Sequence, residues 1–205
     1  MDRTGFQIKV DQLHYESVIG PDIAKLIPKL GQLRIRVFYD FPYLYEGSQE
    51  YEENYLQVYT KNPLSIAFGV FDGEQLVGAT TGMPLIAETK EIQQPFLDSG
   101  MNIGEIFYFG ESILLDTYRG RGIGHLFFDV REKHALENGF TTTAFCSVIR
   151  PEDHPLRPAA YRPNDGFWTK RGYKKQDYSC RMAWLDRNET QETEKELIFW
   201  TKEWK

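Results

Sequence analysis

The chain has 205 residues, of which 41% are aliphatic, aromatic or cysteine and 26% are charged, a composition outside the low-hydrophobicity, high-charge corner where chains stay disordered. At this length one core can bury roughly 70% of the unfolded surface, so a single domain spanning 1–205 is expected. Thirty acidic against 24 basic side chains leave a net charge of −6, which argues against general nucleic-acid binding but still allows a local basic pocket.

Phe6, Ile8 and Val10 alternate with polar residues and predict a short strand. No stretch approaches the roughly 18 consecutive apolar residues of a membrane span, and the first ten residues lack the apolar run of an export signal. A cytoplasmic chain without membrane attachment is the expectation. Gly20-Pro21-Asp22 opens a segment of helical spacing with Ile23, Leu26, Ile27, Leu30, Leu33 and Val37. Pro28 and Gly31 within it predict one kinked helix or two short ones. A second helix is predicted over residues 48–61, with Ser48 as cap, acidic residues in the first turn and Pro63 beyond its end.

Residues 64–71 and 75–83, joined at Asp72-Gly73-Glu74, read as a hairpin. Residues 84–102 read as loop with one short helix. Residues 103–115 predict a long strand in which Gly110 marks a bulge. From Gly122 the period becomes helical through Ile123, Leu126, Phe127 and Val130, and Asn138-Gly139 stops the run. Residues 140–149 return to strand, and the two strands flanking this helix are expected to be parallel neighbours. The proline-rich stretch 151–163 is a long connection of the kind that often carries function. A short helix over 164–171 and strands over 173–185 and 197–204 follow, with 186–196 read as a solvated loop.

The most informative residues lie between the long strand and the helix after it: Tyr118-Arg119-Gly120-Arg121-Gly122-Ile123-Gly124-His125. Alternate glycines let the backbone turn sharply so that successive amides face one point, and the helix start adds partial positive charge. That arrangement suits an anion such as a diphosphate, with Arg119 and Arg121 able to add charge-assisted hydrogen bonds. An ordinary strand-to-helix turn and surface ion pairs are the competing readings. The loop is neither a Walker loop, which needs GxxxxGK[ST], nor a dinucleotide GxGxxG, whose third glycine would fall on His125.

The spacing Arg119-x-x-Gly122-x-Gly124 after an apolar strand resembles the coenzyme A pyrophosphate loop, [RQ]-x-x-G-x-[GA], of the GNAT acyltransferase superfamily. The element order along nearly the whole chain is similar too, and Phe167-Trp168-Thr169-Lys170-Arg171-Gly172-Tyr173 resembles the family's F-Y-x-x-x-G-[FY] segment. The resemblance implies an α/β fold with a mixed, mostly antiparallel sheet of about seven strands, helices on both faces and a splayed parallel pair. It also implies that the backbone of Ile113 and Leu114 pairs with the pantetheine arm, and that Gly120, Arg121, Gly122, Ile123, Gly124 and His125 cradle the pyrophosphate. Acetyl-CoA is then the acyl donor, a primary amine the acceptor, and no metal takes part. The two cysteines, Cys146 and Cys180, form no CxxC pattern and signal neither a disulfide framework nor zinc.

Acyl transfer needs alignment of amine and thioester, an oxyanion donor and a base for the ammonium proton. Several family members carry that base on the long strand at the place held here by Tyr108. Glu105 and Glu111 lie on either side. On an unbroken strand Glu111 shares a face with Phe109 and Ile113, where partial burial would suit a base; a bulge at Gly110 would change its face, and the carboxylate can equally fix that bulge. The family's acidic tyrosine position is Trp168, whose indole cannot protonate a thiolate. Tyr161, Tyr108, Cys146 or water remain as substitutes, with Tyr161 first. Cys146 can also be read as a nucleophile or as a small buried residue. His154, near Arg150 and Arg157, is a site candidate or a loop anchor, and His134 a packed residue. The aromatic run 38–45 can line an acceptor pocket, pack in the core or form a homodimer contact. A small-molecule N-acetyltransferase working through a ternary complex, a noncatalytic acyl-CoA sensor, and an acetyltransferase for protein N-termini or lysines are the functions these residues admit.

Overall fold

The computed structural model describes residues 13–204, so the strand expected over Phe6 to Val10 lies outside the described residues. One sheet is formed by β1 (Leu13–Ile19), β2 (Ile66–Asp72), β3 (Gln75–Pro84), β4 (Ile106–Leu114), β5 (Thr142–Val148), β6 (Lys174–Trp184) and β7 (Thr193–Glu203). Their spatial order is β1-β2-β3-β4-β5-β7-β6. The helices are α1 (Ile27–Phe38), α2 (Gln49–Leu56), α3 (Lys90–Asp98), α4 (Ile123–Glu137) and α5 (Asp165–Lys170). Every neighbouring pair of strands is antiparallel except β4 and β5. The mixed sheet with one parallel pair is therefore present as expected.

Local signals explain most boundaries. Residues Gly20–Lys25 form a 3-10 turn, and α1 follows with Pro28 in its first turn, where a missing amide costs nothing. Gly31 does not interrupt α1. A Cβ there would lie 3.2 Å from the Glu52 Cβ, so this glycine lets α1 and α2 approach closely. Ser48 caps α2 by accepting the Tyr51 amide at 3.3 Å. Asp72 faces Gln75 across a two-residue turn in which Gly73 has φ +58°, the geometry that gives glycine its place in tight hairpins.

Two boundaries depart from the sequence reading. Strand β1 is an edge strand of mostly exposed residues, so it has no alternating apolar pattern to betray it. Strand β7 begins at Thr193 rather than Leu197, because Thr193 pairs with Trp184 and Glu196 with Arg181. Its polar residues are a two-sided strand: Lys195 is buried and held by Glu189 at 2.9 Å and the Trp184 carbonyl at 3.2 Å, while Glu194 and Glu196 face water.

The helices cover both faces. Phe107 and Phe109 of β4 pack against Phe140 and against Phe128 of α4, with Phe167 of α5 on the same ring. Tyr108 points to the other face, where it shares a cavity with residues of α1, α2 and α3. Pairing between β4 and β5 is confined to Ile106–Tyr108 with Thr142–Ala144. Beyond Tyr108, β4 continues to Leu114 bonded only to β3, and β5 continues to Val148 bonded only to β7. The sheet thus opens into a V whose two arms each present an unpaired edge.

Candidate active site

The loop singled out by the sequence leads into the start of α4. Gly120 and Gly122 adopt φ +77° and +82°, the left-handed region that glycine alone enters without strain, and Gly122 is the N-cap. A Cβ at either position would meet no atom within 4 Å, so the turn is open to solvent. Within the helix the first amides with backbone acceptors are those of His125 and Leu126, both bonded to the Gly122 carbonyl. Among the described residues the amides of Gly120, Gly122, Ile123 and Gly124 have no backbone acceptor. Ile123 is buried and anchors the turn, while Arg119, Arg121, Gly124 and His125 are exposed. Arg119 holds Asp116 at 2.7 Å, Arg121 donates to the Thr117 carbonyl at 3.0 Å, and His125 stacks edge-on against Phe167. Ile113 and Leu114, at the end of β4, pair with Ala79 and Gly78 of β3 and leave their β5-side edge open.

At the fork of the V the expected bulge is present. Gly82 faces Phe109 while Thr80 faces Ser112, so Thr81 alone stands opposite Gly110 and Glu111. A Cβ on Gly110 would lie 1.9 Å from the Tyr59 hydroxyl, which is why glycine occupies the bulge. The bulge moves Glu111 off the face of Phe109, where an unbroken strand would have put it, and onto the face of Tyr108. There Glu111 is 3% exposed and both its carboxylate oxygens are engaged, Oε1 by Arg34 of α1 and Oε2 by the Thr81 hydroxyl. Arg34 also grips Glu52 of α2. Burial alone would loosen the Arg34 proton, but Glu111, Tyr55 and Glu52 more than offset this and raise its pKa.

Arg131 of α4 secures the bulge from the opposite face. It is 1% exposed, donates to the carbonyls of Thr81 and Glu111 at 3.3 Å and to the Ser112 hydroxyl at 2.8 Å, and stacks 4.1 Å above the Phe109 ring. Burial pulls its pKa down to about 10.

Below the fork lies a cavity of about 120 Å³. Phe38, Tyr43, Tyr55, Tyr108 and Trp184 form most of its aromatic wall, and Glu88, Glu111 and Arg34 are the charged residues lining it. The run 38–45 therefore divides: Phe38, Tyr43 and Tyr45 line the cavity, whereas Tyr39 is exposed and Phe41 packs on His154 and Tyr161. Half-buried Arg150 fixes this wall, binding Asp186 through two nitrogens at 2.7 and 2.9 Å and the Pro42 and Tyr43 carbonyls at 2.7 Å. Leu44, wholly buried at φ +56°, completes the turn.

Glu88, in the link between β3 and α3, is half-buried. Its backbone is held by the Leu85 carbonyl at 3.0 Å and the Gln93 side chain at 2.7 Å. The carboxylate accepts one hydrogen bond through Oε2, from the Thr89 amide at 3.0 Å, and among the described residues Oε1 has no donor. Burial pushes its pKa up to about 7, the Thr89 amide opposing and the Glu111 charge assisting. Tyr108 donates to or accepts from Cys146 Sγ at 3.0 Å, and burial drives its pKa well above the ordinary phenol value. The Cys146 pKa is also raised, by its hydrogen bond with Cys180 and by burial. Such a thiol stays protonated, the opposite of what a nucleophile needs.

Tyr161 does not line the cavity. It lies edge-on to Phe41 with Arg157 over its ring, 5.2 Å away. Trp168 is packed between Phe145 and Trp200. His154 Nδ1 accepts the Leu156 amide at 3.2 Å within its own loop, and His134 Nε2 meets the Leu64 carbonyl at 2.8 Å. Sequence reasoning passed over Arg34, Thr81, Glu88 and Arg131. Arg131 stands four residues after Phe127, inside the apolar stripe of α4, which is a readable signal. Glu88 had none, since it falls in a stretch without periodicity.

No family model matches the chain, and no curated protein matches it. Solved structures do. The chain is similar to ribosomal-protein-alanine N-acetyltransferase from Brucella melitensis at 10% identity, covering 92% of this chain and 99% of that one with a TM-score of 0.58. It is similar to an N-acetyltransferase from Staphylococcus aureus at 9% identity, over 94% and 99% of the two chains with a TM-score of 0.60. An acetyltransferase of the GNAT family from Streptococcus pneumoniae aligns at 15% identity over 94% and 99%, with a TM-score of 0.56. The fold is that of the GNAT acetyltransferases, as the loop motif and element order imply.

Proposed function

We propose that the chain is an N-acyltransferase that moves an acetyl or other short acyl group from coenzyme A to a primary amine of a small molecule, by direct attack in a ternary complex. The observation that carries this is the placement of two unlike sites at one fork. The open, positive-φ turn 120–124 heads a helix on one face of the splayed β4 edge, and a carboxylate-lined aromatic cavity lies on the other. The exposed amides ahead of α4, with room where side chains would be, fit a diphosphate. Arg119 and Arg121 flank it, and the β5-side edge of Ile113 and Leu114 is free to bond an extended amide-bearing arm. Bound coenzyme A would supply the activated acyl thioester. The chain's own part is to hold that thioester at the fork, exclude water with the aromatic wall and take the amine's proton.

One observation favours a second reading, a noncatalytic acyl-CoA sensor. Tyr108, bonded to Cys146, stands where several family members carry the base, Trp168 stands at the acid position packed on Phe145 and Trp200, and both oxygens of the neighbouring Glu111 are bound by structural partners, so neither family position offers its usual proton-transfer group. Thiol release from acetyl-CoA with a panel of amines separates the readings. Release that depends on amine supports the transferase, and tight coenzyme A binding without release supports the sensor.

A further inference from the structure

We propose that the acceptor is a small primary amine carried on an apolar or aromatic group and lacking a carboxylate, seated in the cavity below the fork with its ammonium against Glu88. This rests on the acyl-transfer reading and names the substrate class of that same site. Three features of the cavity lead to it.

The first is charge. The cation lining the cavity is Arg34, and its guanidinium is committed to Glu52 and Glu111. A substrate carboxylate would therefore meet a cation whose Nε and Nη1 already answer two carboxylates and would also face Glu88 and Glu111, an arrangement that penalises a buried anion. An ammonium meets the reverse, with a carboxylate at hand and tyrosine faces around it. The second is size. About 120 Å³ is somewhat less than the roughly 150 Å³ apolar cavity that holds benzene. The group seated inside is therefore about one ring or a short branched chain.

The third is the difference between the carboxylates. Glu111 has both oxygens taken, whereas Glu88 keeps Oε1 open. The titratable and charged groups facing Glu88 are Arg34 of α1, Tyr55 of α2, Tyr59 after it, Tyr108 and Glu111 of β4, and Cys146 and Cys180 of β5 and β6. The tyrosines and Cys146 have raised pKa values, and Cys180, whose pKa its hydrogen bond with Cys146 lowers, does not line the cavity; Glu88 is the lining group that joins an open oxygen to a proton affinity near neutrality. Its open oxygen accepts a proton from the bound ammonium. The amine lone pair then forms the N–C bond to the acyl carbon while the C–S bond breaks and its electron pair leaves on sulfur. The second nitrogen proton passes to that sulfur, and Glu88 returns the first to water.

The test compares benzylamine with 4-(aminomethyl)benzoate, its carboxylate-bearing counterpart, in the intact chain and in Glu88→Gln and Glu88→Asp. Benzylamine should be acetylated with kcat/KM about tenfold or more above the benzoate. Glu88→Gln should lower kcat/KM about tenfold or more and abolish the rise in rate through pH 7, and Glu88→Asp should restore part of both. Equal or better use of the benzoate, or an unchanged rate and pH profile in Glu88→Gln, overturns the proposal. Calorimetric titration of benzylamine keeps the two failures apart. Binding that weakens in Glu88→Gln without thiol release leaves the cavity assignment standing and removes acyl transfer; absence of benzylamine binding with release from other amines removes the cavity assignment alone.

Discussion

Glu111 and Glu88 line one cavity and are built for different work. Glu111 is sealed on a bulge, bonded on both oxygens by Arg34 and Thr81, and tied through Arg34 to α2. Glu88 sits on a link that is fixed through its backbone while its carboxylate keeps one oxygen open and titrates near neutrality. The contrast teaches that burial alone does not make a base. A buried carboxylate answered by a guanidinium is a fastener, whereas a half-buried one with a single amide donor is poised to exchange protons.

Breaking the fastener should have the largest effect. Arg34→Met leaves Glu111 and Glu52 buried and unanswered, and should cost about 3–5 kcal/mol of stability in urea unfolding; a loss below about 1 kcal/mol would mean the ion pairs are not what holds the bulge. Glu111→Gln keeps the Thr81 contact but removes the charge facing Arg34, and should cost about 1–3 kcal/mol. If Glu111 is the fastener, its variant keeps the pH profile of the intact chain, and a profile lost here rather than in Glu88→Gln would reverse the two roles.

Glu88→Gln should act on stability in the opposite sense. The folded-state pKa of Glu88, about 7, lies above the ordinary carboxyl value of 4.5. Its contribution is therefore fully present below about pH 4.5 and is lost as pH rises through 7. Removing the charge should raise the melting temperature by a few degrees at pH 8 and leave it nearly unchanged at pH 4. The smallest stability effect is expected at the exposed loop. Arg119→Ala should change stability by less than about 0.5 kcal/mol, since its pair with Asp116 is solvated. The same variant should weaken coenzyme A binding by roughly three- to tenfold in a direct titration.

How much of this was legible beforehand follows from where the signals are local. The turn 120–124 could be read because positive φ demands glycine at fixed places and the flanking periods change there. Gly110 announced the bulge because a glycine inside a strand run marks one, yet the consequence for Glu111 needed the register with β3. The aromatic wall was visible as composition, but its split between Tyr43 inward and Phe41 outward depends on Arg150, more than a hundred residues later in the chain. Glu88 was invisible because its shifted proton affinity comes from groups on other elements. Tyr161, ranked first among the substitutes for the acid, lies edge-on to Phe41 and outside the cavity lining, a placement set by the tertiary packing of its loop.

Calorimetric titration of coenzyme A at moderate salt, with the intact chain and with Gly120→Asp, probes the central claim most directly. Aspartate tolerates the left-handed backbone better than most residues and puts a negative charge beside the amides, so the variant keeps its fold while opposing a diphosphate. The intact chain should bind with measurable heat and the variant about tenfold or more weaker. No heat in the intact chain, or equal affinity in both, would contradict the assignment of the turn as a diphosphate site.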